Sequence, residues 1–254
     1  MLFLLLVSQL FHEVDAQHIC QWTSPLDDVD RSLFVDIHNT YRAYVARGEA
    51  YQLGAKLPGS PGLFELKYDC QLELMAQMNT YSCNQTFHPP TTSINYFTLV
   101  NEPHAWSKRD LIPIAASSWY QPILDTRNRS DPRLEPFANM MYYKSLSIGC
   151  SHNLCPATAT TPAINAIACL YTPAHQRNKH IYPEGHYGCV DDADCWKYGA
   201  PSSRYIAEGS YHGLCSQGTL GTTTTTITSF STTSSMSTTT APTTTQSTTP
   251  GTQH

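Results

Sequence analysis

The apolar residues between 137 and 150 follow two different periods. The first set recurs at spacings of three and four, as on one face of a helix: Phe137, Met140 and Met141. The second set alternates, as in a strand with one buried face: Leu146, Ile148 and Cys150. The same alternation returns at Ile167, Cys169 and Tyr171. A helix that runs directly into a strand predicts an α+β fold.

Three earlier stretches have helical spacing. The first is predicted to begin at an Asp28 N-cap, to end at Gly48 and to bury Leu33, Ile37, Tyr41 and Val45. The second follows Cys70, and its apolar face is predicted to lie in the core: Leu74, Met75, Met78 and Tyr81. The third begins with a capping box at Ser107 and Asp110, is ended or kinked by Pro122, and buries Ile112, Ala115, Ala116 and Trp119.

Both ends of the chain differ in composition from the middle. Residues 2–11 are almost entirely apolar, and small residues precede Gln17, which predicts a signal peptide over 1–16 and a secreted, extracellular product. Residues 222–254 hold seventeen Thr and six Ser but no charged side chain, so 219–254 is predicted to be a disordered, mucin-like tail. One main domain is expected over 17–178, with a small cysteine-rich extension over 179–218.

The cysteine pattern indicates a disulfide framework. Nine cysteines follow the predicted cleavage site, and no pair has the Cys-x-x-Cys spacing of a zinc site: Cys20, Cys70, Cys83, Cys150, Cys155, Cys169, Cys189, Cys195 and Cys215. Because the number is odd, one thiol is expected to be free, blocked or intermolecular. A formal net charge of −5 argues against nucleic acid as a partner. No later apolar run is long enough to predict a membrane span.

Two N-glycosylation sequons lie in polar stretches, at Asn84 and at Asn128. Both are predicted to be on surface loops.

The remaining candidates for chemistry have structural explanations that fit better. His175, His180 and His186 are spaced at five and six residues, which neither a helix nor a strand brings together around a metal. The carboxylates of Asp191, Asp192 and Asp194 lack the glycine and the distal glutamate of a calcium loop and are interpreted as turn-forming, solvated acids. His38, Asn39 and Arg42 on the first helix are expected to hydrogen-bond backbone and to anchor a neighbouring loop.

Several short motifs together resemble the CAP superfamily, which contains cysteine-rich secretory proteins, antigen 5 and plant pathogenesis-related proteins. The motifs resemble most closely the nematode activation-associated secreted or venom-allergen-like group: His38-Asn39-Thr40-Tyr41-Arg42, Lys67-Tyr68-Asp69-Cys70, Ile148-Gly149-Cys150 and Ala168-Cys169-Leu170-Tyr171-Thr172-Pro173. The resemblance implies a three-layer α-β-α sandwich, the CAP or SCP domain, with a cysteine-rich extension. Tyr205 stands where that group usually has a further cysteine, which accounts for the odd number.

The resemblance also implies a cleft that holds two His and two Glu, and this chain departs from that pattern. Only the first His is kept, at His88; Ile94 and Pro122 stand at the Glu positions and Pro136 at the second His position. One imidazole alone does not hold a divalent ion, so no metal, other cofactor or catalytic residue is expected. A shifted mapping would bring in Glu102, His104 or Glu135 as substitutes.

The sequence therefore favours a secreted, non-enzymatic binding protein, and the resemblance implies an immunomodulatory type of host–parasite interaction. Its partner is expected to be an extracellular protein or a cell-surface receptor. A lipid- or sterol-binding CAP protein is the first alternative, and a metal-dependent hydrolase is a weaker one. A structural glycoprotein of a cuticle or surface coat is the third, supported by the Thr-rich tail alone.

Overall fold

The computed structural model describes residues 19–84, 90–101, 105–125, 131–177 and 179–218. The helices are α1 Asp28–Ala46, α2 Cys70–Thr80, α3 Lys108–Tyr120, α4 Pro122–Asp125, α5 Glu135–Met141 and α6 Asp192–Tyr198, with a 3₁₀ turn at Pro132–Leu134. The strands are β1 Tyr51–Gln52, β2 Ala55–Lys56, β3 Lys67–Tyr68, β4 Ser93–Val100, β5 Ser147–Cys155, β6 Ile164–Thr172, β7 Arg204–Tyr205 and β8 Cys215–Ser216. The predicted signal peptide, the whole Thr-rich tail, Asn128 and His88 lie outside the described residues.

A four-stranded sheet in the order β3-β5-β6-β4 forms the middle layer. Strand β3 is parallel to β5, whereas β6 is antiparallel to both β5 and β4. Helix α2 packs on one face of the sheet, and α1, α3 and α5 pack together on the other. The predicted α+β, three-layer α-β-α architecture is therefore confirmed.

The buried faces of β5 and β6 follow the predicted alternation. Ile148, Cys150, Ile167, Cys169 and Tyr171 all contribute to the larger core cluster, beneath α1, α3 and α5. The smaller cluster on the α2 face takes the intervening β6 residues, Ala168 and Leu170, together with side chains from α2 and β4. A strand buried on both faces lies at the centre of the fold.

Helix α3 begins and ends as predicted. Ser107 is the N-cap, and its capping box with Asp110 is complete. The helix ends at Tyr120, and Pro122 starts the separate helix α4. All four predicted core residues of α3 are buried: Ile112, Ala115, Ala116 and Trp119.

The predicted face of α1 is displaced by one residue. The N-cap is Asp27 rather than Asp28, and the fully buried positions include Phe34, His38 and Arg42. Leu33, Ile37 and Tyr41 lie beside this stripe and are only partly buried. Apolar periodicity missed the shift because two of the most deeply buried side chains are polar.

The predicted core face of α2 is wrong for three of its four members; the fourth, Met75, is partly buried against the smaller core cluster. Leu74, Met78 and Tyr81 are 38%, 54% and 84% exposed. The inner face instead carries Leu72 and Ala76 with the buried polar residues Glu73, Asn79 and Thr80. Gly149 of β5 accounts for the close contact, because a Cβ there would lie 2.3 Å from the backbone nitrogen of Glu73.

Two buried carboxylates form ion pairs that connect the helices. Arg31 of α1 donates to both carboxylate oxygens of Glu73 at 2.8 and 3.0 Å, and the Tyr68 hydroxyl donates to the same carboxylate at 2.8 Å. Burial alone would raise the pKa of Glu73, but these hydrogen bonds bring it below its usual value. At the start of α3, Lys108 and Arg109 pair with the buried carboxylate of Asp30, whose pKa is lowered in the same way. The charges are therefore paired, as buried charges must be.

Eight of the nine cysteines form four disulfides: Cys20–Cys70, Cys83–Cys155, Cys150–Cys169 and Cys195–Cys215. Cys189 is free and buried, and its Sγ lies within 4.8 Å of the Sγ atoms of Cys195 and Cys215. Tyr205 packs against this group, where the resemblance places an additional cysteine. Burial raises the pKa of the Cys189 thiol to about 12, so it stays protonated at neutral pH.

The acids of the extension bond to backbone amides. Asp191 caps α6 by accepting from the amide of Asp194 at 3.0 Å, and Asp194 accepts from Val190 at 3.0 Å. Asp192 accepts from the amide of Tyr205 at 2.8 Å. The interpretation of these residues as turn-forming acids is therefore confirmed. Across the described ranges, no helix has both the length and the apolar character needed to cross a membrane.

Candidate functional site

The buried stripe of α1 anchors two neighbouring segments. The Arg42 guanidinium donates to four backbone carbonyls, of Phe64, Met140, Tyr142 and Ser145, at 2.7, 2.7, 3.2 and 3.4 Å. Burial lowers the pKa of Arg42 to about 9, so the side chain remains charged at neutral pH. Its charge is therefore spread over carbonyl dipoles.

Asn39 anchors the loop before β3. Its side-chain amide donates to the carbonyl of Leu66 at 3.0 Å and accepts from the amide of Leu66 at 2.7 Å. The expectation that Asn39 and Arg42 hold adjacent loops is confirmed.

His38 is buried beside Tyr171 and is neutral. Its Nδ1 lies 2.7 Å from the Phe34 carbonyl oxygen, which can only accept, so Nδ1 carries the proton. Nε2 is then an acceptor, and the Tyr171 hydroxyl donates to it at 2.9 Å. Burial lowers the pKa of His38 to about 4, and the nearby Arg42 charge acts in the same direction. Since burial also raises the pKa of Tyr171 well above its usual value, neither group exchanges a proton near pH 7.

Asparagines complete this network next to α5. The Asn95 side chain donates to the Tyr171 oxygen at 3.2 Å and to the Pro136 carbonyl at 2.9 Å. Asn139 donates to the Asn95 side-chain oxygen at 2.9 Å and to the Ile94 carbonyl at 3.2 Å. The network therefore joins α1, β6, β4 and α5 through hydrogen bonds.

The described residues that the sequence maps to the family's ligand positions lie on three different elements. Ile94 packs its side chain into the cluster on the α2 face, and Pro122 begins α4. Pro136 lies on α5 and contributes its carbonyl to Asn95. Of the suggested substitutes, Glu135 pairs with Arg177 at 2.9 Å, whereas Glu102 and His104 lie outside the described residues. The described cleft positions thus supply no side-chain ligand for a metal.

A cavity of about 510 Å³ lies beside the network. Its walls are formed by the β1–β2 region, α4, the 3₁₀ turn, α5 and residues 175–177 and 179–184. The apolar part of the wall consists of Leu57, Pro58, Ile123, Pro132, Leu134, Phe137, Ala138, Ile181 and Tyr182. The polar part consists of Gln52, Asp131, Glu135, His175, Arg177, Lys179, His180 and Glu184. This composition is typical of a pocket for a small amphiphile.

Two of the three candidate histidines line this cavity. His175 packs edge-to-face on Tyr142, with ring centroids 5.2 Å apart, and its buried Nε2 has no hydrogen-bond partner among the described residues. His180 is exposed, and His186 is not part of the wall. The one group of three potential ligand atoms found in the described ranges is Cys189, Cys195 and Cys215, of which two form a disulfide.

Sequence reasoning missed Tyr171 as the centre of the network and missed the cavity. Tyr171 was predicted only as an alternating core residue, and its hydroxyl gives no signal in hydrophobic periodicity. The spacing of His175 and His180 does not indicate that residues 175–177 and 179–184 form part of a cavity wall.

A three-layer sandwich with a long N-terminal helix, a mixed four-stranded sheet and a small disulfide-bonded extension defines the class of protein. The model of the CAP family, described as the cysteine-rich secretory protein family, matches residues 35–171. The chain belongs to this family.

Its relatives are nematode secreted proteins. The Ancylostoma secreted protein of Ancylostoma caninum is 25% identical over 208 residues, which are 77% of this chain and 44% of that protein. Hookworm platelet inhibitor 1 of the same organism is 26% identical over 187 residues, 72% of this chain and 81% of that protein. The resemblance to the nematode activation-associated secreted or venom-allergen-like group is confirmed.

Solved structures share the fold. Na-ASP-1 has a TM-score of 0.66 at 24% identity, over 77% of this chain and 47% of that chain. BmVAL-1 has a TM-score of 0.62 at 22% identity, over 77% of this chain and 99% of that chain. The chain thus spans less than half the length of Na-ASP-1 and of the Ancylostoma secreted protein.

Proposed function

We propose that the chain is a secreted, non-enzymatic CAP protein that binds an extracellular protein or cell-surface receptor through its exposed loops. The observation that carries this proposal is the chemistry of the cleft: Ile94, Pro122 and Pro136 offer no side-chain ligand or proton donor, and His38 is locked in a neutral network. Four disulfides support secretion, because such bonds persist in oxidising compartments. A rigid, cross-linked core that carries exposed loops suits recognition.

Platelets are a concrete first target, because one relative is named a platelet inhibitor. The experiment is to incubate fluorescently labelled protein with washed platelets, to measure saturable binding and aggregation, and to examine the bound receptor by mass spectrometry. We expect saturable binding to a platelet or other host-cell surface protein whose covalent structure is unchanged. Cleavage or covalent modification of the bound partner would contradict the non-enzymatic proposal. A reduced and alkylated sample is the control, since it lacks the fold that presents the loops.

The cavity favours a second candidate function, binding of an anionic amphiphile. Its apolar wall lies beside Lys179, whose ammonium suits a carboxylate head group, whereas Arg177 is already paired with Glu135. Radiolabelled palmitate should then bind with a stoichiometry near one and compete with unlabelled fatty acid. Phe137→Ala would weaken that binding about tenfold, whereas Met78→Ala, far from the cavity wall, would leave it unchanged. Saturable cholesterol binding without palmitate binding would instead indicate a sterol ligand.

A further inference from the structure

An apolar ridge lies on the outer face of α2. Its three members, Leu74, Met78 and Tyr81, are spaced at four and three residues and so share one face of the helix. The opposite face of α2 packs on β5 and β6, so the ridge points away from the core. Large apolar side chains gathered in this way indicate a surface that something covers.

The backbone that follows α2 is held firmly. The amide of Cys83 donates to the Thr80 carbonyl at 3.0 Å, which closes a tight turn. The side chain of Asn153 donates to the carbonyls of Thr80 and Tyr81, both at 3.1 Å. The Cys83–Cys155 disulfide attaches the turn to the end of β5.

This turn places two exposed side chains close together in the chain. Tyr81 is 84% exposed, and Asn84, three residues later, is also exposed. Asn84 is the first residue of the sequon Asn84-Gln85-Thr86. Cys83 between them has a φ of +49°, which redirects the backbone just before Asn84.

We propose that Asn84 carries an N-linked glycan whose first sugars pack on the Tyr81 ring and extend over Met78 and Leu74. In the transfer step the Asn84 side-chain nitrogen bonds to C1 of the first sugar and loses a proton. The C1–O bond to a lipid-linked diphosphate breaks, and the diphosphate leaves with the electron pair. The apolar C–H face of a pyranose packs on an aromatic face much as an aliphatic group does. The inference rests on the secretion proposed above, since only a secreted chain meets this donor.

A tethered glycan fits the ridge better than a second copy of the chain. A stable protein interface buries about 800 Å² on each partner, far more than three side chains provide. A sugar attached three residues from Tyr81 has a high effective concentration at the ring, so a weak contact is enough to hold it there. The glycan therefore shields α2 without forming an interface.

The experiment compares glycan loss in two backgrounds, using protein secreted from a eukaryotic host. Thr86→Ala removes the Asn84 sequon and Thr86→Ser keeps it; Ser130→Ala removes the other sequon, at Asn128, as a matched control. Glycopeptide mass spectrometry measures occupancy, and thermal unfolding measures Tm. We expect occupied Asn84 in the unaltered chain and a Tm that Thr86→Ala lowers by roughly 2–4 °C.

The decisive comparison is made with Tyr81→Ser. In that background Thr86→Ala should lower Tm by much less, because the ring on which the first sugars pack is gone. Trimming the glycan to its first sugar should keep most of the stabilisation in the chain that has Tyr81. Secreted protein with no glycan at Asn84 would overturn the proposal, and so would an equal loss of Tm in both backgrounds or an equal loss from Ser130→Ala. None of these results bears on the absence of ligands in the cleft, so the failure of this inference is distinguishable from that of the proposed function.

Discussion

At the scale of single residues, the buried polar side chains of α1 are the feature that organises the fold. The Arg42 guanidinium donates hydrogen bonds to four backbone carbonyls in two segments, and His38 connects the helix to β6 through Tyr171. The sequence indicated that His38, Asn39 and Arg42 act structurally. It did not indicate their partners, because contacts with Met140 or Tyr171 depend on tertiary packing about a hundred or more residues away.

Replacing Arg42 tests the first of these contacts. We expect Arg42→Lys to lower the free energy of unfolding by about 3 kcal/mol, because one ammonium cannot reach four carbonyls and leaves buried acceptors unpaired. Urea denaturation measures the change. Arg47→Lys is the matched control, since Arg47 pairs with Glu49 near the surface and its replacement should cost less than about 0.5 kcal/mol. Equal losses from the two variants would show that the carbonyl cluster is unimportant.

His38 makes stability depend on pH in a defined window. Its pKa is about 4 in the folded chain and 6.5 ordinarily, so below pH 6.5 the unfolded state binds a proton that the folded state does not. Stability should therefore fall from pH 6.5 to about pH 4, by about 3 kcal/mol in total from this residue. The lowered pKa values of His152 and His175 act with the same sign.

His38→Gln should flatten this dependence, because glutamine does not titrate. Chemical denaturation at several pH values between 7 and about 5.5 measures the slope, above the range in which protonation of Asp30 and Glu73, with ordinary pKa values of 3.8 and 4.5, lowers the stability. The exposed His186→Gln serves as the control and should leave the slope unaltered. A slope in His38→Gln as steep as in the unaltered chain would assign the effect to other groups.

At the scale of elements, the sequence predicted where helices and strands lie more reliably than which face they bury. The capping box of Ser107 and Asp110 predicted the first residue of α3 correctly. The face of α2 was wrong because Gly149 lets that helix approach β5 through small and polar side chains. Gly149 is on β5 and faces the backbone of α2. The spacing of apolar residues within α2 therefore does not reveal the close contact.

The close packing of α2 on β5 is tested at Gly149. We expect Gly149→Ala to destabilise the fold by about 2–4 kcal/mol, because the new methyl group would meet the backbone of α2. Gly54→Ala provides the comparison: Gly54 has a φ of +80° and open space around it, so its replacement should cost only about 1 kcal/mol of backbone strain. Thermal unfolding measures the stability of both variants. A Gly149→Ala protein as stable as Gly54→Ala would contradict the close contact between α2 and β5.

At the scale of the whole molecule, the family resemblance and the cysteine count supplied the architecture and the odd thiol. The connectivity could not be derived from the sequence, because eight paired cysteines allow many arrangements. The sequence predicts the departures of the cleft from the family pattern. It does not predict the cavity beside α5, because that cavity depends on where residues 175–177 and 179–184 lie in the folded chain.

The free thiol of Cys189 should not react with thiol reagents in the native protein. Cys189 is buried and its pKa is raised to about 12, so its reactive thiolate is scarce at pH 7. Reaction with a thiol reagent should give about one thiol per chain in denaturant and almost none within minutes in native buffer. Cys189→Ser should remove the signal altogether. Rapid labelling without denaturant would show instead that the extension opens or exchanges its disulfide.

The central claim is that the cleft lacks the ligands for a divalent cation. The most direct measurement is the metal content of the secreted protein after equilibrium dialysis against micromolar Zn²⁺. We expect well under one zinc per chain, in protein whose circular dichroism spectrum shows that it is folded. One tightly held zinc per folded chain, kept after a second dialysis into metal-free buffer and displaced only by a chelator, would contradict it.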